Sequence, residues 1–455
     1  MGADPTDMYR SAMVSRTALP DREQRVAALA EAGYNVFGLS ASDVYVDLLT
    51  DSGTGTMSTD QWAAMLGGDE SYAGSESFER LEAAVEDVLG FERLVPAHQG
   101  RGAEHLLYGA LVEGGDTVLA NTHFDTTRAH VVEAGGEPVD CPVPDAWDAD
   151  AGGDFKGNLD VAAARDRAET VGAEQIPAVI VTITNNSAAG QPVSVRNMRA
   201  ARELADDIDA RLVVDGCRFA ENAWFVRERE AGWGDATIRE IVREQVGLAD
   251  AVVVSGKKDG LVNVGGFVAL AAAEQRLHEE LKQRAILYEG FFTYGGMAGR
   301  DMAAMAVGLR EATEGAYLDH RIGQVRELAD RLEGQGVPVY RPVGGHAVYV
   351  DAGEALPHIP AEQFPGQALV CAAYREGGVR AVELGSFAFP DTDRPELVRL
   401  ALPRRSYHRE HLDHVGEAFG AVLDDPEAVP GLEVVEEPPR PELRHFSATL
   451  RPVEK

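Results

Sequence analysis

Between about Leu48 and Gly308 the chain alternates short β-rich runs with helical patterns, and no other feature narrows its possible folds as far. A helix set between two strands returns the chain parallel to itself, so a long alternation demands a mainly parallel sheet covered on both faces. One such unit can be read residue by residue. Ala178 to Thr184 is largely β-branched and apolar, as a central strand buried on both sides must be. After the Gly190-Gln191-Pro192 turn, Ser194 is placed to cap a helix whose buried side is predicted at Val195, Met198, Leu204 and Ile208. That helix feeds the strand Arg211-Leu212-Val213-Val214-Asp215. In an open α/β sheet the strands present their carboxyl ends on one edge, where ligands collect, and Asn186 and Asp215 are both expected there.

A domain boundary is expected near 310–330. Ala312 to Leu332 reads as a connecting helix, followed by a mixed region with strands at 337–340 and 346–350. A Pro- and Glu-rich segment, 424–442, precedes a final strand-like run. The acidic stretch 145–154 reads as an excursion within the first domain, because strand patterning resumes after it. No internal repeat is visible.

The 455 residues suffice for two domains with large cores. No apolar run reaches 18 residues, which argues against a membrane span. Met1 to Arg10 lacks a basic patch followed by an apolar core, so a cytosolic protein is expected. Forty-two basic against 75 acidic residues give a net charge of −33, spread along the chain. Such a surface repels nucleic acid and anionic lipid, and it fits adaptation to a salt-rich cytosol. The three cysteines, Cys141, Cys217 and Cys371, are far apart and odd in number, which argues against a disulfide framework or a clustered zinc site. Cys217 is expected only to pack. His408, His411 and His414 are interleaved with charges and predict an exposed polar helix. The segment His98-Gln99-Gly100-Arg101-Gly102-Ala103-Glu104-His105 imitates a metal motif, but its glycines are expected to spoil a helical ligand face.

Chemistry concentrates in Ala251-Val252-Val253-Val254-Ser255-Gly256-Lys257-Lys258-Asp259, an apolar strand ending in a small-residue turn with two adjacent lysines. Taken alone this is a solvated basic turn. At the carboxyl edge of a buried sheet, however, desolvation and a neighbouring ammonium favour a free amine able to form an imine, while Ser255 and the Gly256 backbone can hold a phosphate. An imine enzyme using pyridoxal phosphate also needs a carboxylate to keep the pyridine nitrogen protonated. Asp215 ends a strand, Arg218 follows it, and the interval to Lys258 accommodates one helical crossover and another strand.

These residues resemble the β-eliminating lyases, pyridoxal phosphate enzymes, over nearly the whole chain. The likeness is carried by 47–54, 68–75, 98–104, 186–194, the Asp215 strand, the Lys258 turn, 295–301 and 402–405. It implies the fold of aspartate aminotransferase: a large cofactor domain at 47–310 and a smaller α+β domain built from 311–455 and the N-terminal segment 1–46. It implies that Lys258 carries the cofactor and Lys257 supports it electrostatically. Gly100, Arg101 and Ser255 would hold the phosphate, with Ser52 and Gln99 also at the cofactor. Phe124 would stack on the ring, Asn186 and Arg218 would meet its phenolate side, and Asp215 would pair with its nitrogen. Arg404 would anchor the substrate carboxylate, and Tyr72 is a candidate acid. A monovalent cation, usually potassium, would match Gly53, Glu70 and Asn263, with Glu70 arriving from a neighbouring subunit of a homotetramer.

Three positions separate the family's indole-releasing and phenol-releasing branches. The phenol branch addresses the phenolic oxygen with an arginine and a threonine; the matching residues here are Leu384 and Asp125. Leu384 leaves a phenolate unpaired and offers apolar surface to a bicyclic ring, whereas Asp125 can accept from an indole N–H. The third is His445, which matches the indole branch. The expected reaction is elimination of indole from L-tryptophan, leaving pyruvate and ammonia. Departures from the family pattern at Gly190, after two alanines, and at Phe292, where proline is commoner, bear on substrate breadth. Rival readings are a phenol-releasing lyase, a lyase of another β-substituted amino acid, and a non-catalytic binding protein. Gly53-Thr54-Gly55 has no dinucleotide or Walker sequence around it, so nucleotide binding is rejected.

Overall fold

The computed structural model describes residues 14–149, 151–390, 394–439 and 443–454. The described residues form two compact units: Ser52–Asp148 with Gly152–Ile322, and residues 14–51 with those described from Gly323 onward.

The first unit is built on a seven-stranded sheet. In chain order its strands are β1 (Arg93–Ala97), β2 (Thr117–Ala120), β3 (Glu137–Asp140), β4 (Ala178–Thr182), β5 (Arg211–Asp215), β6 (Ala251–Ser255) and β7 (Gly266–Leu270), and their spatial order is β1-β7-β6-β5-β4-β2-β3. Every pairing is parallel except those of β7, which runs antiparallel to both neighbours. Side chains alternate across the strands. Val179, Val181, Leu212, Val214, Val252 and Val254 enter one core, while Ala178, Ile180, Val213, Ala251 and Val253 enter the other. This double burial explains why β4, β5 and β6 are apolar runs without polar alternation.

Register sets the active edge. Thr182 pairs with Asp215, Asp215 with Val253, Ser255 with Gly266, and Gly266 with Ala97. The carboxyl ends of β1, β4, β5 and β6 therefore lie level, and the loops leaving them emerge side by side. The predicted βαβ unit forms as read: the Ser194 side chain accepts from Asn197 N, and Val195, Met198 and Leu204 are buried on the helix Val195–Asp207, with Ile208 at its C-cap.

The second unit contains an antiparallel sheet ordered Val382–Glu383, Leu397–Ala401 and Ala347–Asp351. Val46–Asp47 pairs in parallel with Val379–Arg380, and Leu432–Glu436 pairs with Thr449–Pro452. Helices Pro365–Gly377 and Arg409–Leu423 supply much of its core.

Several expectations change. The unit boundaries fall at 51/52 and 322/323 where 46/47 and 310/311 are expected; the second lies inside the helix Gly315–Gly334 and within the window 310–330. Leu318 and Ile322 of that helix bury in one core and Val325 and Leu328 in another, so a continuous helix hides the division. The strand expected at 337–340 reduces to one bridge, Val339 to Val350; Pro338 has no N–H to give a ladder. The strand-like C-terminal run begins with a short helix, Arg444–Ser447. The histidine row is not simply an exposed face: His414 Nε2 bonds Gly377 O at 2.7 Å, and both His411 and His414 pack near Tyr45. The segment around Gly100, whose glycines are expected to spoil a helical ligand face, forms the helix Gly100–Leu111. Met1–Arg10, Asp150 and Glu442 lie outside the described residues. Among the described residues no helix is long and apolar enough to cross a membrane.

Candidate active site

At the level carboxyl edge of the first unit's sheet lies a cleft with an empty volume of about 610 Å³, counting its open mouth. The eleven residues expected around a cofactor, Ser52, Gln99, Gly100, Arg101, Phe124, Asn186, Asp215, Arg218, Ser255, Lys257 and Lys258, all line it. They come from different loops, and the sheet register brings them together.

The Lys258 turn is pinned from beneath. Leu261 N donates to Lys258 O at 3.0 Å and Gly256 N to Gly265 O at 2.9 Å. Asp259 is fully buried, and its Oδ2 accepts from Ala220 N at 2.8 Å and Glu221 N at 3.3 Å, capping the helix Phe219–Arg229. A carboxylate next to the key lysine thus ties its turn to the helix that starts just after Arg218. Lys258 Nζ lies 5.8 Å from the centroid of the Phe124 ring, on its face. Lys257 has its pKa lowered, first by burial, then by Lys258 and Arg101.

Asp215 is 7% exposed, and its Oδ1 accepts from Cys217 N at 3.1 Å. Arg218 is buried beside it at the start of the next helix. Cys217 does more than pack: it lines the cleft, and its Sγ accepts from Ser255 N at 3.2 Å, joining the aspartate loop to the lysine strand. Burial and the Asp215 charge hold its thiol protonated.

The phosphate-holding candidates form a backbone cradle. Gln99 is the N-cap of Gly100–Leu111, so the start of this helix, with the backbone N–H groups of Gly100 and Arg101, stands at the cleft end where Gly100, Arg101 and Ser255 gather. A Cβ on Gly100 would lie 2.6 Å from the Ser255 Cβ, so only glycine lets the helix start approach the strand this closely.

Residues outside the expected set also line the cleft: Glu104, Thr126, Thr182, Ile183, Thr184, Cys217 and Val253. Glu104 is the most consequential. It is buried, it accepts from Thr126 Oγ1 and Thr127 Oγ1, and burial followed by the Asp215 charge pushes its pKa up to about 7. The signal available in the sequence was a carboxylate one turn into a helix opposite the Thr126-Thr127 pair.

The remaining candidates stand elsewhere. Tyr72 is 70% exposed and stacks on Phe291, outside the cleft lining. Asp125 is exposed at the first position of the helix Asp125–Glu133. Asn263 Nδ2 donates to Gly53 O at 2.8 Å and Gly55 O at 3.1 Å, so two of the cation candidates adjoin. Glu70 instead accepts from Gly299 N and Arg300 Nη1. In the second unit Arg404 is buried, not a surface arginine, and its Nη1 donates to Asp51 Oδ2 at 2.9 Å. Leu384 is half-buried on the loop after Val382–Glu383. His445 packs against Phe37, Phe387 and Phe446, and burial lowers its pKa to about 3, leaving the ring neutral.

A strand-end amine and a buried carboxylate around one cleft, with an anion cradle at its rim, fit the aldehyde, ring nitrogen and phosphate of pyridoxal phosphate. The fold and cleft define the class, that of a cofactor-dependent α/β enzyme. The family model described as β-eliminating lyase matches residues 47–418. A probable tryptophanase of Halobacterium salinarum is 63% identical over 445 residues, covering 98% of this chain and 99% of that protein. A tryptophanase of Hyphomonas neptunium is 48% identical, covering 97% and 98%. A tyrosine phenol-lyase of Pasteurella multocida is 44% identical, covering 98% and 99%. The chain belongs to the β-eliminating lyase family of pyridoxal phosphate-dependent enzymes and is a lyase.

Proposed function

We propose that the protein cleaves L-tryptophan to indole, pyruvate and ammonia. The observation that carries the chemistry is that Lys258 and Asp215 line one cleft together with the Gly100 cradle. The greater identity to relatives named tryptophanase than to the phenol-lyase supports the choice of substrate. When bound, pyridoxal phosphate supplies an aldehyde for amine attachment and a cationic ring that takes up the electron pair left at the substrate α-carbon.

The residues divide the work. Lys258 would hold the cofactor through its side-chain amine, and that amine is the general base placed to accept the substrate's α-proton. Asp215 keeps a proton on the ring nitrogen, and its burial strengthens that ion pair. Arg218 and Asn186 provide N–H groups for the ring's phenolate oxygen. Gly100, Arg101, Ser255, Gln99 and Ser52 hold the phosphate end, Lys257 adds positive charge, and Phe124 offers a face to the ring. Arg404 binds the substrate carboxylate. Leu384 gives apolar surface to the indole, Asp125 accepts from its N–H, and His445, kept neutral, stands on the indole side. Tyr72, outside the cleft of its own chain, would reach indole C3 as the acid only from a neighbouring copy.

The finer architecture we propose is the aspartate-aminotransferase arrangement, assembled as a homotetramer with active sites between subunits. Exposed Tyr72, Leu287 and Tyr288 support such burial by further copies. Gly53, Asn263 and a neighbouring subunit's Glu70 would then hold potassium. The free thiols fit a reducing cytosol.

The purified enzyme with cofactor should release indole from tryptophan faster than phenol from tyrosine. The reverse order would overturn the substrate assignment. A spectral shift with tryptophan but no pyruvate would instead favour a binding protein.

A further inference from the structure

Glu104 has no part in the steps just described, yet it occupies a defined mechanical position. It stands one turn into Gly100–Leu111, the helix whose N-terminus makes the anion cradle. Its two carboxylate oxygens accept from Thr126 Oγ1 and Thr127 Oγ1, each at 2.5 Å. Those threonines lie in the first turn of Asp125–Glu133, immediately after Phe124. One buried side chain therefore joins the start of the cradle helix to the start of the helix that follows the ring-facing phenylalanine. Asp215 and Lys258 act on Glu104 across the cleft, and Tyr108 and Cys217 belong to the same buried electrostatic cluster.

We infer that Glu104 is a positioning residue for the cofactor: clamped by Thr126 and Thr127, it fixes the spacing between the Gly100–Arg101 phosphate cradle and the Phe124 ring. This rests on the pyridoxal phosphate reading of the cleft. The clamp needs acceptors for two hydroxyl donors. Glutamine can preserve it, since its carbonyl accepts from one threonine and its amide donates to the other hydroxyl, which also has lone pairs. Alanine cannot.

The test measures the affinity of the apoprotein for pyridoxal phosphate, followed by fluorescence quenching, with the melting temperature of each apoprotein recorded in parallel. Glu104→Ala should weaken binding about 10- to 100-fold, the range for losing buried hydrogen bonds to a charged group. Glu104→Gln should restore affinity to within about threefold of wild type, and Thr126→Val, removing one donor, should fall between. If Glu104→Ala does not fold, Thr126→Val decides: wild-type affinity in that variant overturns the clamp. Equal losses in the alanine and glutamine variants also overturn it, because charge and not connection would then matter. Wild-type protein that fails to bind the cofactor overturns the cleft reading and the clamp together. Tight wild-type binding that Glu104→Ala leaves unchanged overturns the clamp alone.

Discussion

Asp215 and Lys258 leave the same sheet edge from neighbouring parallel strands: Asp215 pairs in register with Val253, and Lys258 lies in the turn after Ser255 on that second strand. The carboxylate and the amine are thus fixed by main-chain hydrogen bonds, and side-chain substitution should remove function without disturbing the frame. Lys258→Ala is expected to lower pyruvate formation from tryptophan by at least about 10³-fold, the upper range for losing a general base. Borohydride should then no longer fix cofactor to the 258 peptide, while the apoprotein melts as wild type does. Asp215→Ala should keep the covalent labelling and still lose about 10²-fold or more in rate. Normal turnover in either variant would remove the proposed chemistry.

Leu384 and Asp125 give a test of leaving-group choice. A phenolate needs a cationic partner, and Leu384 supplies none, whereas an indole gains from apolar contact. Leu384→Arg should lower kcat/KM for indole release by at least about tenfold, and adding Asp125→Thr should raise phenol release from tyrosine. The ratio of indole to phenol formed from an equimolar mixture reads both effects. An unchanged ratio would separate these positions from specificity.

Much of the site was legible because its residues end strands. A β-branched run closed by Asp215, and another closed by Ser255 and the lysine pair, announce both the sheet and its working edge. Glu104 was not legible in the same way. Its neighbours Gly100 and Gly102 read in the sequence only as spoiling a metal-ligand face; the structure shows that glycine at 100 serves a close approach to Ser255, and the helix forms because tertiary packing outweighs a propensity cost of about 1 kcal/mol. The division at 322/323 falls inside the expected 310–330 window, but its place within the helix was not legible: one uninterrupted amphipathic pattern serves two cores, and periodicity alone does not say which core receives a given turn. At 337–340 alternation suggested a strand, but Pro338 limits pairing to a single bridge.

The net charge of −33 sets an expected salt response. Raising monovalent salt from 0.1 to 1 M shortens the screening length from about 10 Å to about 3 Å, relieving repulsion among the excess carboxylates. It also weakens surface ion pairs such as Arg199 with Glu244 and Arg165 with Asp207, but exposed pairs are worth only about 0–1 kcal/mol each. The excess charge should win. Melting temperature is expected to rise by several degrees in either KCl or NaCl, measured by calorimetry on apoprotein. A decrease would count against adaptation to salt.

A buried carboxylate and its half-buried neighbour in the second unit predict how stability depends on pH. Glu383 is fully buried; its Oε1 accepts from Gly385 N at 2.5 Å and Phe387 N at 3.2 Å, and its Oε2 from Ala388 N at 2.9 Å. Glu396 accepts from Ser386 N at 3.1 Å, and a Cβ on Gly385 would collide with both carboxylates, so the two acids close on one glycine. Burial and then the neighbouring Glu396 push the Glu383 pKa up to about 8, and burial raises Glu396 as well. The sign follows from proton counting. Below about pH 4 Glu383 is protonated whether folded or unfolded; between about 4.5 and 8 the unfolded chain has released a proton that the fold retains. Its contribution therefore falls as pH rises through that window and is flat above it. Glu383→Gln abolishes this titration but forfeits the bond from Ala388 N, a pH-independent loss of about 1 kcal/mol. The variant should melt with a flatter pH dependence than wild type between pH 5 and 8, the two curves converging or crossing toward pH 8. Parallel curves would mean that the proton is not held there.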